Sequence, residues 1–232
     1  MHPTRRTARI AGSLYLLMGL PAVFSLLYIP SALIVPGDPR ATANKILASE
    51  TLFRLGIVSE LVFATVFIFV VRALYRLLSE VNRIQASLMM ILALVSIPIW
   101  FVNVLNEIAA LTLMRGAGFL SGFEKGQLDA LAMLFLDLHR DGFALAHIFS
   151  GLWLFPFGVL VMQSGFIPRV LGLLLMVAGL GYLAISLASL LLPAYASVVS
   201  RVATLLTAGE FPIMPWLLIK GVTDRSLVVA DS

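Results

Sequence analysis

The stretch GLWLFPFGVLVMQSGFIPRVLGLLLMVAGLGYL, residues 151–183, decides the fold of this chain. It contains two long apolar runs separated by the short turn SGFIPR. Gly165 permits a reversal of the chain, and Pro168 suits the first turn of the helix that follows. Arg169 is placed where anionic lipid headgroups lie. The stretch therefore predicts two membrane-spanning helices joined by a tight turn.

The composition of the whole chain supports the same fold class. Of its 232 residues, 60% are hydrophobic and 12% are charged, and the mean hydropathy is +1.02. These values are typical of multi-pass membrane proteins and lie outside the range of soluble domains. The basic residues are dispersed singly between apolar runs, so we expect no nucleic-acid partner. The sequence has no cysteine, which excludes disulfides and thiolate metal ligands.

Six apolar segments are long enough to cross a hydrocarbon core of about 30 Å, which takes about 20 helical residues. They are residues 9–30, 54–78, 86–112, 142–163, 168–192 and 198–220. A helix at the membrane surface is predicted for residues 128–138, after a glycine-rich loop. The sequence thus predicts an all-α, polytopic transmembrane helical bundle. It is expected to form a single integral membrane domain, residues 1–232, in the lipid bilayer.

The basic residues predict the orientation of the six spans. An even number of spans places both termini on one side of the membrane. Nine of the 16 basic residues then lie on that side. They are Arg5, Arg6, Arg9, Arg72, Arg76, Arg83, Arg169, Lys220 and Arg225. Because cytoplasmic loops carry the excess of Lys and Arg, we expect both termini to be cytoplasmic.

Two stretches and the span layout carry a family resemblance. ALYRLLSEVNR, residues 73–83, and the stretch at residues 151–183 resemble the bacterial membrane family known as domain of unknown function 4386. The turn Ser-Gly-Phe-Ile-Pro-Arg-x-Leu-Gly is the most specific part, and the resemblance covers roughly residues 8–220. It implies a multi-pass helical bundle in the bacterial inner membrane, and it implies no activity, cofactor or site residues.

Polar residues inside the spans are candidate functional residues, because a charge in hydrocarbon is costly and is usually retained when it faces a partner or a water-filled cavity. In span three, Ser96, Asn103, Asn106 and Glu107 lie within about 100° of one another at 100° per residue, which makes one polar stripe. Span two contributes Glu60.

Span four is expected to turn one of its two histidines toward these carboxylates. Arg140 and His147 are seven residues apart and therefore share a helix face, whereas His139 is predicted to point elsewhere. His147 is expected at the depth of Glu60 and Glu107, facing them.

Span six carries a deeper carboxylate, Glu210, beside Pro212 and Pro215. These prolines remove two backbone donors and free carbonyl groups one turn earlier. A discontinuous helix beside a buried carboxylate is typical of transport and ion sites.

A first hypothesis is a polar cavity in the outer half of the bundle that binds or transports a small or amphiphilic ligand. Seven residues are expected to line it: Glu60, Asn103, Asn106, Glu107, Arg140, His147 and Glu210.

Three alternatives stay open. One is a metal-dependent intramembrane hydrolase in which His147 and the span carboxylates hold the ion. With three histidines and no HExxH spacing, we assign no residue as a metal ligand and no cofactor. The small size suggests a non-catalytic accessory subunit with a membrane protein partner. In a purely structural interpretation, Glu60, Glu107 and Glu210 pair with Arg54, Arg140 and Arg201 or are protonated.

The predicted topology can be tested with reporter fusions at Ser232 and within residues 116–126. We expect the fusion at Ser232 to report the cytoplasm and the loop fusion to report the opposite side, because nine of the 16 basic residues flank the side of the termini. A fusion at Ser232 that is active only outside the cytoplasm would overturn the orientation.

Overall fold

The computed structural model describes residues 5–221, and helices dominate that range. The α-helices, in chain order, are α1 (Arg5–Val23), α2 (Ile29–Leu33), α3 (Pro39–Ala48), α4 (Glu50–Leu78), α5 (Arg83–Arg115), α6 (Lys125–Leu152), α7 (Leu154–Ser164), α8 (Arg169–Leu191), α9 (Ala196–Thr207) and α10 (Ile213–Ile219). A π-helical turn, Phe24–Tyr28, joins α1 to α2. Two short 3-10 helices cover Gly118–Leu120 and Ala208–Glu210.

Six helical segments are long and apolar enough to cross a membrane, which confirms the predicted number of spans. They are Arg5–Leu33, Glu50–Leu78, Arg83–Arg115, Lys125–Ser164, Arg169–Leu191 and Ala196–Ile219. Large apolar side chains cover their outer surfaces, for example Leu20, Val102 and Leu205. So much exposed apolar surface suits contact with lipid tails rather than water. The chain is an integral membrane protein of the helical-bundle class.

The fourth span differs most from its predicted bounds. Residues 128–138 are helical, as expected, but they belong to α6, which continues through the predicted start of the span to Leu152. Gly142 does not interrupt the helix, because a glycine inside a helix lowers its stability only by about 1 kcal/mol and packing can offset that. The loop before α6 contains Gly116 in a left-handed conformation, φ 66°, in keeping with the predicted glycine-rich loop.

Proline interrupts two spans, and the break in the last span lies at the place predicted beside Glu210. Pro156 lacks the N–H that would bond to the carbonyl of Leu152, and α6 ends at that residue before α7 begins at Leu154. In the last span, the 3-10 helix that ends at Glu210 is followed by Pro212, and α10 starts only at Ile213. Glu210 therefore lies at a break between two helices.

The structure divides the chain into two compact units. Unit 1 contains the described residues up to Leu17, Val66–Ile97 and those from Ala144 onward; unit 2 contains Met18–Thr65 and Pro98–Phe143. The core of unit 2 is apolar and is built by residues of α2 to α6, among them Ile46, Phe53 and Met114. The predicted organisation as a single membrane domain stays a prediction.

Small residues set the closest helix contacts of unit 1. An added Cβ at Gly158 of α7 would lie 2.6 Å from the carbonyl oxygen of Gly172 of α8, and one at Gly151 would lie 2.7 Å from that of Gly179. Ser186, two turns further along α8, is fully buried. Gly172, Gly179 and Ser186, which are spaced by seven residues along α8, therefore form a packing stripe.

Replacing Gly158 by alanine is expected to lower the free energy of unfolding by about 1–3 kcal/mol, because the new methyl group would overlap the backbone oxygen of Gly172 as well as the side chain of Met176, and the backbone cannot move aside as a side chain can. Denaturant titration of the purified protein in mixed micelles measures the change. Gly19→Ala is the matched control, since an added Cβ there meets no heavy atom within 4 Å. Equal stability of the two variants would contradict the packing role.

Candidate metal centre

Three ionisable side chains from three different helices meet in unit 2. Glu60 lies on α4, Glu107 on α5 and His139 on α6. The Nε2 atom of His139 is 3.1 Å from Oε2 and 3.3 Å from Oε1 of Glu60, and it is 3.8 Å from Oε2 of Glu107. One nitrogen or oxygen atom from each residue lies within 4.8 Å of the other two. These three residues are called the carboxylate–histidine cluster below.

The two carboxylates of the cluster are buried, His139 is partly buried, and one carboxylate oxygen lacks a hydrogen bond. Glu60 is 1% exposed and Glu107 is 7% exposed. Oε2 of Glu107 accepts no hydrogen bond from any residue in the range 5–221. A buried carboxylate oxygen without a donor carries a large desolvation cost. The cluster therefore has an unused electron-pair donor that points toward the other two side chains.

The distances in the cluster suit a divalent metal ion. Bonds of about 2.0–2.2 Å from zinc to nitrogen or oxygen place two ligand atoms of a tetrahedral site about 3.3–3.6 Å apart. The separations of 3.1 and 3.8 Å between His139 and the two carboxylates lie on either side of that range. The cluster therefore offers one imidazole nitrogen and two carboxylate oxygens, all within 4.8 Å of one another, that could hold one ion.

Two asparagines of α5 lie beside the cluster. Nδ2 of Asn103 donates a hydrogen bond of 2.8 Å to the carbonyl oxygen of His139. Nδ2 of Asn106 donates a bond of 3.1 Å to Oδ1 of Asn103. The polar stripe predicted for span three therefore exists, and Asn103 and Glu107 are buried on it.

The structure corrects the prediction about the two histidines of span four. His139, which was expected to point elsewhere, is the one that contacts Glu60 and Glu107. His147 belongs to unit 1, where its ring centroid is 5.3 Å from that of Tyr182. The prediction is wrong because it places the inward face of α6 where His147 and Arg140 align.

Arg140 does not lie on the inward face of α6. Its side chain is 70% exposed, and it forms ion pairs with Asp137 at 2.7 Å and with Asp141 at 3.5 Å. The buried residues Leu128, Ala132 and Ala146 share a face with His139, because they are eleven and seven residues before it and seven after it. This run of apolar and small residues is the signal that could have identified His139 from the sequence.

Arg54 and Arg140, which the purely structural interpretation pairs with span carboxylates, have other partners. Arg54 pairs with Glu50 at 2.7 Å, and Arg115 pairs with the same carboxylate at 3.0 Å. Both arginines lie near helix ends, where their long side chains are half exposed and solvated. Histidine, which is shorter and can be buried at lower cost, takes the inner position.

Glu210 occupies a separate site in unit 1. Tyr15 donates a hydrogen bond to Oε1 of Glu210, and Tyr182 donates one of 3.0 Å to Oε2. The sequence analysis missed both tyrosines because they lie on α1 and α8, far from Glu210 in the chain. The expected cavity residues are therefore divided: Glu60, Asn103, Asn106, Glu107 and Arg140 belong to unit 2, and His147 and Glu210 to unit 1.

Comparison with known proteins gives one result. The family model described as Domain of unknown function (DUF4386) matches residues 10–221, which is most of the chain. No curated protein matches. No solved structure matches either. Function therefore has to be inferred from the side chains of the chain itself.

Removal of either phenol that binds Glu210 is expected to destabilise the protein. Tyr15→Phe and Tyr182→Phe each leave a buried carboxylate oxygen without its donor, which costs about 1–3 kcal/mol of the free energy of unfolding. Tyr195→Phe is the control, because Tyr195 is 65% exposed. The same measurements in a Glu210→Gln background give the coupling energy. An unchanged cost of Tyr15→Phe in that background would show that its bond to the carboxylate is not the cause.

Proposed function

This chain belongs to the family described as domain of unknown function 4386, and we propose that it is a membrane metalloprotein that binds a divalent transition-metal ion. The proposed ligands are Glu60, Glu107 and His139. The observation that carries the proposal is the convergence of one imidazole nitrogen and two carboxylate oxygens, all within 4.8 Å of one another, inside a membrane protein.

The chemistry of the ligands favours zinc over magnesium or calcium. Imidazole nitrogen is a ligand for zinc and other transition metals, whereas magnesium and calcium prefer sites made of oxygen atoms alone. The unbonded Oε2 of Glu107 supports an ion in preference to a shared proton, because a proton between His139 and Glu60 leaves that atom without a partner.

Metal-assisted hydrolysis is the reaction that such a site supports best. Catalytic zinc sites have three protein ligands and leave a fourth position for water, whose pKa falls to about 7 on the ion. Glu60, Glu107 and His139 are three ligands of this kind. The proposed activity is therefore that of an intramembrane hydrolase, with His139 in the role that the sequence analysis gave to His147.

A second proposal is that the site binds or transports a small or amphiphilic ligand. The exposed Arg140, with Asp137 and Asp141, supports it, because these charges lie on either side of His139 along α6. Arg140 can bind an anionic headgroup while an apolar tail lies against the lipid-facing side chains. A non-catalytic accessory role, with a membrane protein partner, stays a hypothesis from the sequence, and no nucleic-acid partner is proposed.

The cellular placement is part of the proposal. The family resemblance and the distribution of basic residues support the inner membrane of a bacterium, with both termini in the cytoplasm. In that orientation Glu60 and Glu107, which are near the outer ends of spans two and three, belong to the outer half of the bundle.

The metal site can be tested by titration of the full chain in detergent micelles after treatment with a chelator. We expect one equivalent of Zn²⁺ to bind and to raise the melting temperature, because a ligand that binds only the folded state stabilises it. His139→Asn and Glu107→Gln remove one ligand each. They should weaken binding by more than about 100-fold, since the loss of an outer-shell partner alone costs about 10–100-fold.

The controls keep residue type constant. Glu124→Gln changes a solvent-exposed carboxylate, and His2→Ala changes a histidine outside the described residues. Both variants should bind like the unchanged protein. If the folded protein takes up no Zn²⁺, or if His139→Asn binds it as tightly as the unchanged protein does, the proposed function is wrong.

A further inference from the structure

Asn103 connects the second ligand helix to the third at the ligand residue itself. Its Nδ2 atom donates to the carbonyl oxygen of His139, at 2.8 Å. In an α-helix that carbonyl also accepts the N–H of the residue four positions later, so the amide uses the second lone pair of the oxygen. We propose that Asn103 is the positioning residue of the metal site and that it fixes the height and rotation of α6 at His139. The inference rests on the proposed function.

Asn106 sets the direction in which the amide of Asn103 points. Its Nδ2 atom donates to Oδ1 of Asn103 at 3.1 Å. An amide has a donor end and an acceptor end, and they are not interchangeable here. With its oxygen toward Asn106, Asn103 turns its NH₂ group toward His139. The two side chains form a short hydrogen-bonded chain that ends at the backbone of the ligand.

Gly142 provides the space that Asn103 occupies. A Cβ atom at residue 142 would overlap Oδ1 of Asn103 and would lie 3.0 Å from its Nδ2 atom. Gly142 is three residues after His139, close to the same face of α6. The polar residues of α5 therefore pack against the face of α6 that carries His139 and Gly142. The residues of α5 are Asn103, Asn106 and Glu107.

Burying the side-chain amide of Asn103 in a membrane protein has an energetic cost, because the amide loses its hydrogen bonds to water. Asn103 is only 5% exposed. A leucine would fill such a position without any polar group to satisfy, and a buried polar group is stabilising only when it is hydrogen-bonded. A positioning role explains the amide, because metal ligands must be held within about 0.5 Å of their productive geometry. Outer-shell partners of this kind orient ligands in known metal sites.

The test is a Zn²⁺ titration of the full-length protein in micelles, with Co²⁺ absorption as a second measurement of ligand geometry. Asn103→Ala should weaken Zn²⁺ binding by about 10–100-fold, the range for loss of an outer-shell partner. The Co²⁺ spectrum should change in shape as well as in affinity. Ser96→Ala is the matched control, because it removes a buried hydrogen bond of the same helix, from Ser96 to the carbonyl of Ala93. It should leave both measurements unchanged.

Gly142→Ala tests the same contact from α6. On its own it should displace Asn103 and weaken binding, again by about 10–100-fold. Once the amide has been removed, the extra methyl group has room. The double variant should therefore bind about as well as Asn103→Ala alone, and the two losses should not multiply.

The outcomes separate the inference from the proposed function. If the unchanged protein binds Zn²⁺ and Asn103→Ala binds it equally tightly, the positioning role is wrong and the metal site stands. If the folded, unchanged protein binds no Zn²⁺, both are wrong. If Asn103→Ala fails to fold, the test is made with a variant of the half-buried Asn106 instead. Asn106→Ala should cost about 10-fold, the lower end of the outer-shell range, and unchanged binding by that variant overturns the positioning role.

Discussion

An ionisable side chain inside a membrane protein needs a partner, because an unpaired charge in a medium of low dielectric constant is strongly unfavourable. In unit 2 the buried Asp129 pairs with Lys125 within α6, and between helices the constraint is met at the contact of the imidazole of His139 with the carboxylate of Glu60. The contact joins α4 to α6, and Glu107 brings α5 to the same point. The apolar core residues of unit 2, such as Phe53 and Met114, supply most of the packing energy. The polar contact selects one rotation of each helix among those that apolar packing alone permits.

Glu210 and the pair of Glu60 and Glu107 are partnered by different chemistry, and the difference bears on the proposed function. Glu210 accepts one phenol hydrogen bond at each of its oxygens, so its acceptors are used. Phenols carry no charge and are poor metal partners beside a single carboxylate. Glu60 and Glu107 share one imidazole, which leaves an oxygen atom of Glu107 without a donor. A carboxylate whose two oxygens both accept hydrogen bonds suits a structural role, whereas a carboxylate with an oxygen that accepts none suits a site that binds an ion.

The sequence predicts this fold well and the site only in part, for a physical reason. The number of spans follows from the lengths of the apolar segments, and the helix breaks at Pro156 and Pro212 follow from the missing backbone N–H of proline. Each of these features depends only on residues that are close together in the chain. The stripe of Asn103 and Glu107 follows from helical periodicity in the same way. The histidine that faces this stripe cannot be predicted in the same way, because its identity depends on how α6 is rotated against α5. His139 and His147 lie on faces of α6 that are about 80° apart at 100° per residue, so a prediction of the inward histidine is a prediction of the inward face. Gly142 accommodates Asn103 on the observed face, but a single glycine in a helix forms no sequence pattern that identifies this face.

The absence of a metal-binding motif follows from the same geometry. Motifs such as HExxH place two ligands on one helix, so that local structure forms most of the site. Here each proposed ligand comes from a different helix, and residues 60, 107 and 139 are brought together only when α4, α5 and α6 pack. Such a site has no affinity in an unpacked chain, so the free energy of binding adds to the free energy of packing. In the proposed site, metal binding and the rotation of α6 are then one equilibrium. An ion that requires His139 to face Glu60 favours the packed arrangement in which Asn103 reaches the carbonyl of the same residue.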